Sequence, residues 1–527
     1  MKIPVRFPRM KSSWYIGLAW AALVTPLHLL AGVVDIGAGK QIFIDTKFVE
    51  EPQGVVLRMN QPVKHGPVLL GTNSWENGIV TGAGTVIEDG GRFRVWYTAC
   101  PASGHPLAPF RLCYAESTDG IHWVKPNLGI YEWEGSKANN IIMDSNIENG
   151  GGIFLDPKAP PAQRYKLLAR LSEKALAKPG HDPQVGNAPN GTGMYIYTSP
   201  DGLHWELQPT RVFPFNPDTV NMALYDNRTD KYLAFVRTWI GDQRRVGVVE
   251  IPDILKPWPY DEKAPPRELG VHKFARTITV PSREIPDAYG VDEKDPPNSD
   301  HYTSAVVKYP WAEDVYLMFP SPYRHFPEPP ASKYRNDGLL DIQMAVSRDG
   351  RKFHAASRFP YIELGFPNDR DCGSLYMYIG MLRRGSEIYQ YYGGNDWSHG
   401  AYEGLPEMRN RGGMMLTRQR LDGFVSVEAD EKGGSFVTPE VIFTGAKLAL
   451  NFNASAMGEV WVELRDAAGR AIEGFSFQDC DSLGGNDVAK IVTWKQGRND
   501  VSALAGKPVR VAFKLRTAKL YAFQFVP

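Results

Sequence analysis

Four cysteines in 527 residues are too few for a disulfide framework. Charge of one sign is also missing: 59 basic residues face 59 acidic ones, which excludes an electrostatic grip on nucleic acid. Past the first thirty-odd residues no long amphipathic helical stretch occurs, so a helical architecture is excluded. No Cys/His spacing has the form of a zinc site. Cys100 and Cys113 end and begin neighbouring predicted strands and either pair or stay two buried thiols.

The single long apolar run lies at the start. Lys2, Arg6, Arg9 and Lys11 lead into Trp14–Ala31, the pattern of a signal peptide over residues 1–33. Pro26 and His28 interrupt it and no clean small-x-small cleavage site follows, so an uncleaved membrane anchor is the alternative. Either way the chain is expected outside the cytoplasm, secreted or periplasmic, with no other membrane contact. Nothing in the composition fixes an oligomeric state.

What is plentiful is turn formers and aromatics: 51 Gly, 41 Pro, 13 Trp and 24 Tyr. That suits an all-β chain with many turns, and aromatic platforms of this kind are frequent sugar binders. One phrase recurs. Tyr195-Ile-Tyr-Thr-Ser-Pro-Asp-Gly-Leu-His-Trp205 runs a strand into an Asp-Gly turn and returns on a tryptophan. Tyr114–Trp123 and Met344–Phe353 repeat it, and weaker copies surround Asp253 and Asp422. The turn aspartates Asp119, Asp201, Asp253, Asp349 and Asp422 are 52 to 96 residues apart. Units of that length suit four-stranded blades with long loops, so the expected fold is a five-bladed β-propeller over residues 34–432. A tail with short alternating strands, residues 433–527, is expected to be a β-sandwich. The strand-like segment Gln41–Asp45 is expected to close the ring. The rival six-bladed ring lacks a sixth phrase between Asp253 and Asp349.

Blade geometry separates visible acids from informative ones. The Ser-x-Asp-Gly turns follow third strands, so Asp119, Asp201 and Asp349 serve as turn formers. First strands begin, and second strands end, on the opposite face. Acids just before the first strands are Glu76, Glu148, Asp218, Asp300 and Asp371, one per blade. Carboxylates held close together push their pKa values apart and yield one proton donor and one base, the pair that glycosidic hydrolysis needs. Glu76, Asp218 and Asp300 form the expected catalytic set, with Glu148 and Asp371 in reserve. Trp75 beside Glu76 would wall off solvent or stack on a sugar, Asn221 would hold a hydroxyl or carboxylate, and His301 would tune Asp300. The second-strand ends add Arg170, Arg237, Arg324, Trp397 and His399, which suit the recognition of hydroxyls, carboxylates or sulfates.

The five-blade layout, the Tyr-x-x-Ser-x-Asp-Gly-x-x-Trp phrases and the trailing β domain resemble the propeller glycoside hydrolases of families 32 and 43, over roughly residues 40–527. The resemblance implies carboxylates from several blades acting as base or nucleophile, acid and stabiliser. Asn73-Ser-Trp-Glu-Asn77 stands where family 32 has Trp-x-Asn-Asp-Pro, without that aspartate or proline. Asp156-Pro157 is similar to that family's Arg-Asp-Pro but falls in a first-to-second-strand turn. Against family 43 the acid types are reversed, with Glu76 first and Asp218 and Asp300 later. No cofactor is required; the likeness to family 43 also allows a structural calcium in the central channel, with His301 orienting its water. The expected activity is an exported glycoside hydrolase acting on a poly- or oligosaccharide, and the alternative is a carbohydrate-binding propeller without catalysis.

Overall fold

Each Ser-x-Asp-Gly phrase closes the third strand of a four-stranded antiparallel sheet; among the described residues four blades are of this kind and a fifth adds a short strand, Leu382–Arg384. The computed structural model describes residues 32–527, except 77–79, 100–109, 146–151, 172–192, 216, 218–219, 241–242, 260–266, 273–275, 281–284, 325–337 and 400–410. Blade one runs Val80–Asp89, Arg92–Ala99, Phe110–Ser117 and Ile141–Ser145, in that order from the axis outwards. Blade two is Gly152–Leu155, Tyr165–Leu171, Gly193–Ser199 and Glu206–Phe213; blade three is Met222–Asp226, Lys231–Ile240, Gln243–Ile251 and Asp287–Tyr289. Blade four is Val306–Lys308, Tyr316–Met318, Ala345–Ser347 and His354–Ala355. The long interval between Asp253 and Asp349 holds a two-stranded hairpin, Arg267–His272 with Arg276–Val280, and not a sixth blade.

The repeat phrase does two jobs. Within a turn, Asp201 Oδ1 accepts from the backbone N–H of Leu203 and His204, while Ser199 Oγ accepts from Gly202 N–H. Asp119 and Asp349 do the same in their blades. The turn also clamps the preceding blade. Trp96 of blade one donates its indole N–H to Gly202 O at 2.7 Å, and Tyr391 of blade five donates to Gly120 O at 2.7 Å. Glycine is required at Gly202 twice over: φ is +77°, and a Cβ would sit 2.5 Å from the Trp96 ring.

A second repeat ties blades together on the same face. Asp89 accepts from Tyr165 Oη of the next blade, Asp156 from Tyr232 and Asp226 from Tyr316. Asp156 is therefore a buried inter-blade clamp away from the expected pocket.

Ring closure differs from the expectation. Blade five consists of Ser374–Met377, Glu387–Asn395 and Gly413–Arg420, and its outer strand is Val63–Leu69 from the other end of the ring. Gln41–Ile42 instead pairs with Phe523–Ala522. Val63–Leu69 contains Gly66 and Pro67 and reads as loop, yet an outermost strand tolerates a proline because one edge needs no partner.

The second unit takes strands from both ends of the chain. Glu50–Gln53 and Val56–Met59 join Val425–Ala429 and the strands that follow in one nine-stranded sheet. Its centre is Lys447–Arg465, whose first half pairs with Ala518–Val526 and whose second half pairs with Arg510–Arg516. The sheet thus doubles over at residues 454–458, and Phe436, Phe513 and Phe523 from its two arms meet ring to ring in one core.

Candidate functional site at the upper face of the ring

Call the upper face the one where first strands begin and second strands end. Blades three, four and five bring an aromatic and cationic cluster together there, centred on Tyr302. The short strand Ser299–His301 pairs with Pro322–Arg324, which places Asp300 opposite Tyr323. Asp300 is 1% exposed and its Oδ2 accepts from Arg244 Nη1 at 2.8 Å. The Arg244 guanidinium lies 5.4 Å from both the Tyr302 and the Tyr323 ring. Arg237, from the second strand of blade three, stacks on Tyr302 at 4.5 Å and donates to its carbonyl. His399 closes the cluster from blade five: its ring is 4.2 Å from Tyr302, and Nδ1 shares a 2.7 Å hydrogen bond with Tyr376 Oη.

Of the sequence-predicted residues, the structure brings Asp300, Arg237 and His399 together. Asn221 supports them from beneath, its Oδ1 accepting from Arg237 N–H at 2.9 Å. Arg324 is exposed at the end of the strand paired with Asp300, and Arg170 is half-buried at the end of its own strand. Trp397 is buried and its carbonyl accepts from Ser374 Oγ. Asp218 and Glu148 lie outside the described residues.

Three of the expected residues are engaged by other partners. Glu76 is fully buried and its acceptor positions are filled: Oε2 takes Thr72 N–H, Asn73 N–H and Lys125 Nζ, and Oε1 takes Tyr97 Oη at 2.6 Å. It organises the loop. Trp75 follows it inward, donating its indole N–H to Asn140 Oδ1 and packing on the core of blades one and five. Asp371 is likewise turned aside, accepting from Tyr392 Oη at 2.7 Å and paired with Lys64 of the closing strand at 2.7 Å.

His301 points away from Asp300, as alternate strand residues must. Its ring lies 4.6 Å from that of Tyr289 in the outer strand of blade three, and neither ring nitrogen has a hydrogen-bond partner among the described residues. Burial pulls its pKa down to about 4, so the imidazole is neutral at pH 7. Among the described residues no three His, Cys, Asp or Glu side chains are grouped to hold a metal. Cys113 is a free, buried thiol, and Cys100 lies outside the described residues.

No family model matches the chain, and no curated protein does. Solved structures do. A glycosyl hydrolase from Bacteroides ovatus aligns at TM-score 0.37 and 14% identity, covering 73% of this chain and 94% of that one. An N-acetylgalactosamine deacetylase from F. plautii in complex with blood group B trisaccharide aligns at 0.41 and 11%, covering 70% and 96%. The Bombyx mori family 32 β-fructofuranosidase aligns at 0.37 and 11%, covering 89% and 95%. At these scores and identities the likeness carries no reading of the site, and what the site does must come from its own residues.

Sequence reasoning passed over two residues, the first of them in this cluster. Arg244 opens a third strand, a position outside the rule that selected first-strand starts and second-strand ends. Asp341 is the other. It runs alongside blade five, where Leu375 N–H donates to Leu340 O at 2.9 Å, and its Oδ1 has no hydrogen-bond partner among the described residues. Burial, helped by the negative charge of Glu363, pushes its carboxyl up to about 7. Because the folded-state pKa is raised, the unfolded chain ionises first as pH rises, and wild-type stability falls between about pH 4 and 7. The Asp341→Asn variant should therefore match wild type near pH 4 and gain up to a few kcal/mol by pH 8. Melting temperatures across that range check it; parallel curves for the two proteins would contradict it.

Proposed function

We infer that the chain is an exported carbohydrate-active hydrolase, a glycoside hydrolase working at the upper face of the ring. The observation that carries this is the convergence of Asp300, Arg237, Arg244 and His399 from three blades around the Tyr302 ring. A carboxylate, two guanidinium groups and a histidine–tyrosine pair between aromatic rings can grip hydroxyls, stack on a sugar face and move a proton. Asp300 is the proposed working carboxylate. The second carboxyl that hydrolysis needs is proposed to be Asp218, with Glu148 in reserve, since both precede first strands of neighbouring blades. His399 and Tyr376 orient a hydroxyl or carry the proton at the third side of the cluster.

A second reading has an observation of its own. Asp300 is closed from solvent and ion-paired, as a sugar-binding propeller without catalysis would allow. Incubating residues 34–527 with a panel of soluble polysaccharides and aryl glycosides separates the two. New reducing ends or released phenol are the expected result. Binding without turnover on every member of the panel would establish the second reading.

Export rests on the basic lead and apolar run of residues 1–33. Among the described residues no helix is long and apolar enough to cross a membrane.

A further inference from the structure

Phe359 and Phe366 are 77% and 83% exposed, and among the described residues they are the only aromatics in the exposed large hydrophobic set. Both lie on one connection, residues 356–373, between the outer strand of blade four and the inner strand of blade five. The first ends and the second begins at the upper face, so this connection crosses that face from rim to axis. Two more exposed apolar side chains stand on the same face: Ile240 ends the second strand of blade three, and Leu339 follows Gly338, whose carbonyl accepts from His399 N–H at 2.7 Å.

Phe366 is held out in water by a braced turn. Gly365 N–H donates to Asp371 O at 2.9 Å, Phe366 N–H to Asp369 Oδ2 at 2.8 Å, and Asp369 N–H back to Phe366 O at 2.9 Å. Pro367 stiffens the tip, and Arg411 ties Asn368 O to the Asp396 carboxylate, one residue before Trp397 and three before His399. The backbone that carries the ring is fixed in this way, so only side-chain rotation is lost when something stacks on it, and an exposed ring on a braced turn marks a contact surface. The apolar face of a pyranose or furanose ring matches a phenylalanine, because the ring C–H groups meet the π-face while the hydroxyls stay in water.

We propose that Phe366, with Leu339 on the inner side, is an outer sugar-binding platform that holds a glycan chain beyond the unit seated at Tyr302. The substrate class is therefore a chain of several sugars, and short glycosides bypass the platform. This rests on the carbohydrate reading above.

The test compares wild type with Phe366→Ala and Phe366→Trp on two substrates of the same sugar and linkage, a soluble polysaccharide and a short aryl glycoside. Loss of one stacked phenyl ring corresponds to roughly a 10-fold weaker contact. Phe366→Ala should raise KM on the polysaccharide by about that factor, leave kcat unchanged, and leave both constants unchanged on the aryl glycoside. Phe366→Trp should restore the polysaccharide KM. Equal kinetics for wild type and Phe366→Ala on the polysaccharide would overturn the platform, as would equal losses on both substrates. If wild type turns over nothing, the hydrolase reading fails and affinity gels decide the platform. Retardation of wild type but not of Phe366→Ala in gels containing inulin, arabinan, arabinoxylan or polygalacturonate supports it; no retardation of either protein in any gel overturns it.

Discussion

An Asp300→Asn chain is expected to lose about 100-fold or more of its turnover, the usual contribution of a positioned acid or base. The same change should cost stability. Arg244 keeps its guanidinium against the Tyr302 and Tyr323 rings, and Asp300 is the carboxylate that meets it at 2.8 Å. Removing one member of a buried ion pair costs about 3 kcal/mol or more, largely from the charge left behind. Activity loss alone would thus be ambiguous, and a double variant resolves it. Asp300→Asn combined with Arg244→Gln removes both charges and should recover much of the melting temperature. If turnover of the double variant stays at the Asp300→Asn level while the fold recovers, and Arg244→Gln alone loses less, Asp300 acts in the chemistry. Turnover that returns with stability would make it a brace for Arg244.

Glu76→Gln is expected to behave in the opposite way, with stability falling and turnover per folded molecule intact. Three donors converge on Oε2, two of them backbone N–H groups that cannot turn away. An amide nitrogen there would face donors with a donor. With the oxygen kept there, Lys125 still loses its counter-charge while only 13% exposed. About 3–5 kcal/mol is the usual cost of breaking such a pair. Urea midpoints for Glu76→Gln, Lys125→Met and the double variant measure it. The double variant should lie closer to wild type than the two single losses added together. A stable but inactive Glu76→Gln chain would return Glu76 to the catalytic set.

The contrast between these carboxylates shows where sequence reasoning reaches and where it stops. Blade strands were legible because turn chemistry and alternation are local: Asp89-Gly-Gly91 bends the chain between Val80–Asp89 and Arg92–Ala99, and the Ser-x-Asp-Gly phrases do close third strands. Topology then told which ends share a face, and Asp300, Arg237 and His399 do lie together there. It did not tell which way a side chain turns. Glu76 and Asp300 hold equivalent places in their blades, yet Lys125, in the loop after the first repeat phrase, claims one and Arg244 faces the other across the Tyr302 cluster. Such partners are set by packing between segments far apart in sequence. The closing strand was missed for a related reason. Gln41–Asp45 has the alternation of a strand and Val63–Leu69 carries a proline and a glycine, but pairing is decided by which edge is open. Blade five offered its edge to the second, and the sheet of the second unit took the first.

That exchange of segments sets the order in which the molecule can be assembled. Gln41 pairs with Phe523, and Val56–Met59 with Val425–Glu428. These early strands have no partner until segments hundreds of residues further on have been made. Directly after them comes Val63–Leu69, the latch of the ring, which waits for Gly413–Arg420. Late, long-range pairing of this kind is slow and leaves open edges exposed during synthesis. The ring cannot close before Gly413–Arg420 has been made, nor the second sheet before Ala518–Val526. A polypeptide with that schedule can form its blades singly long before it can lock them.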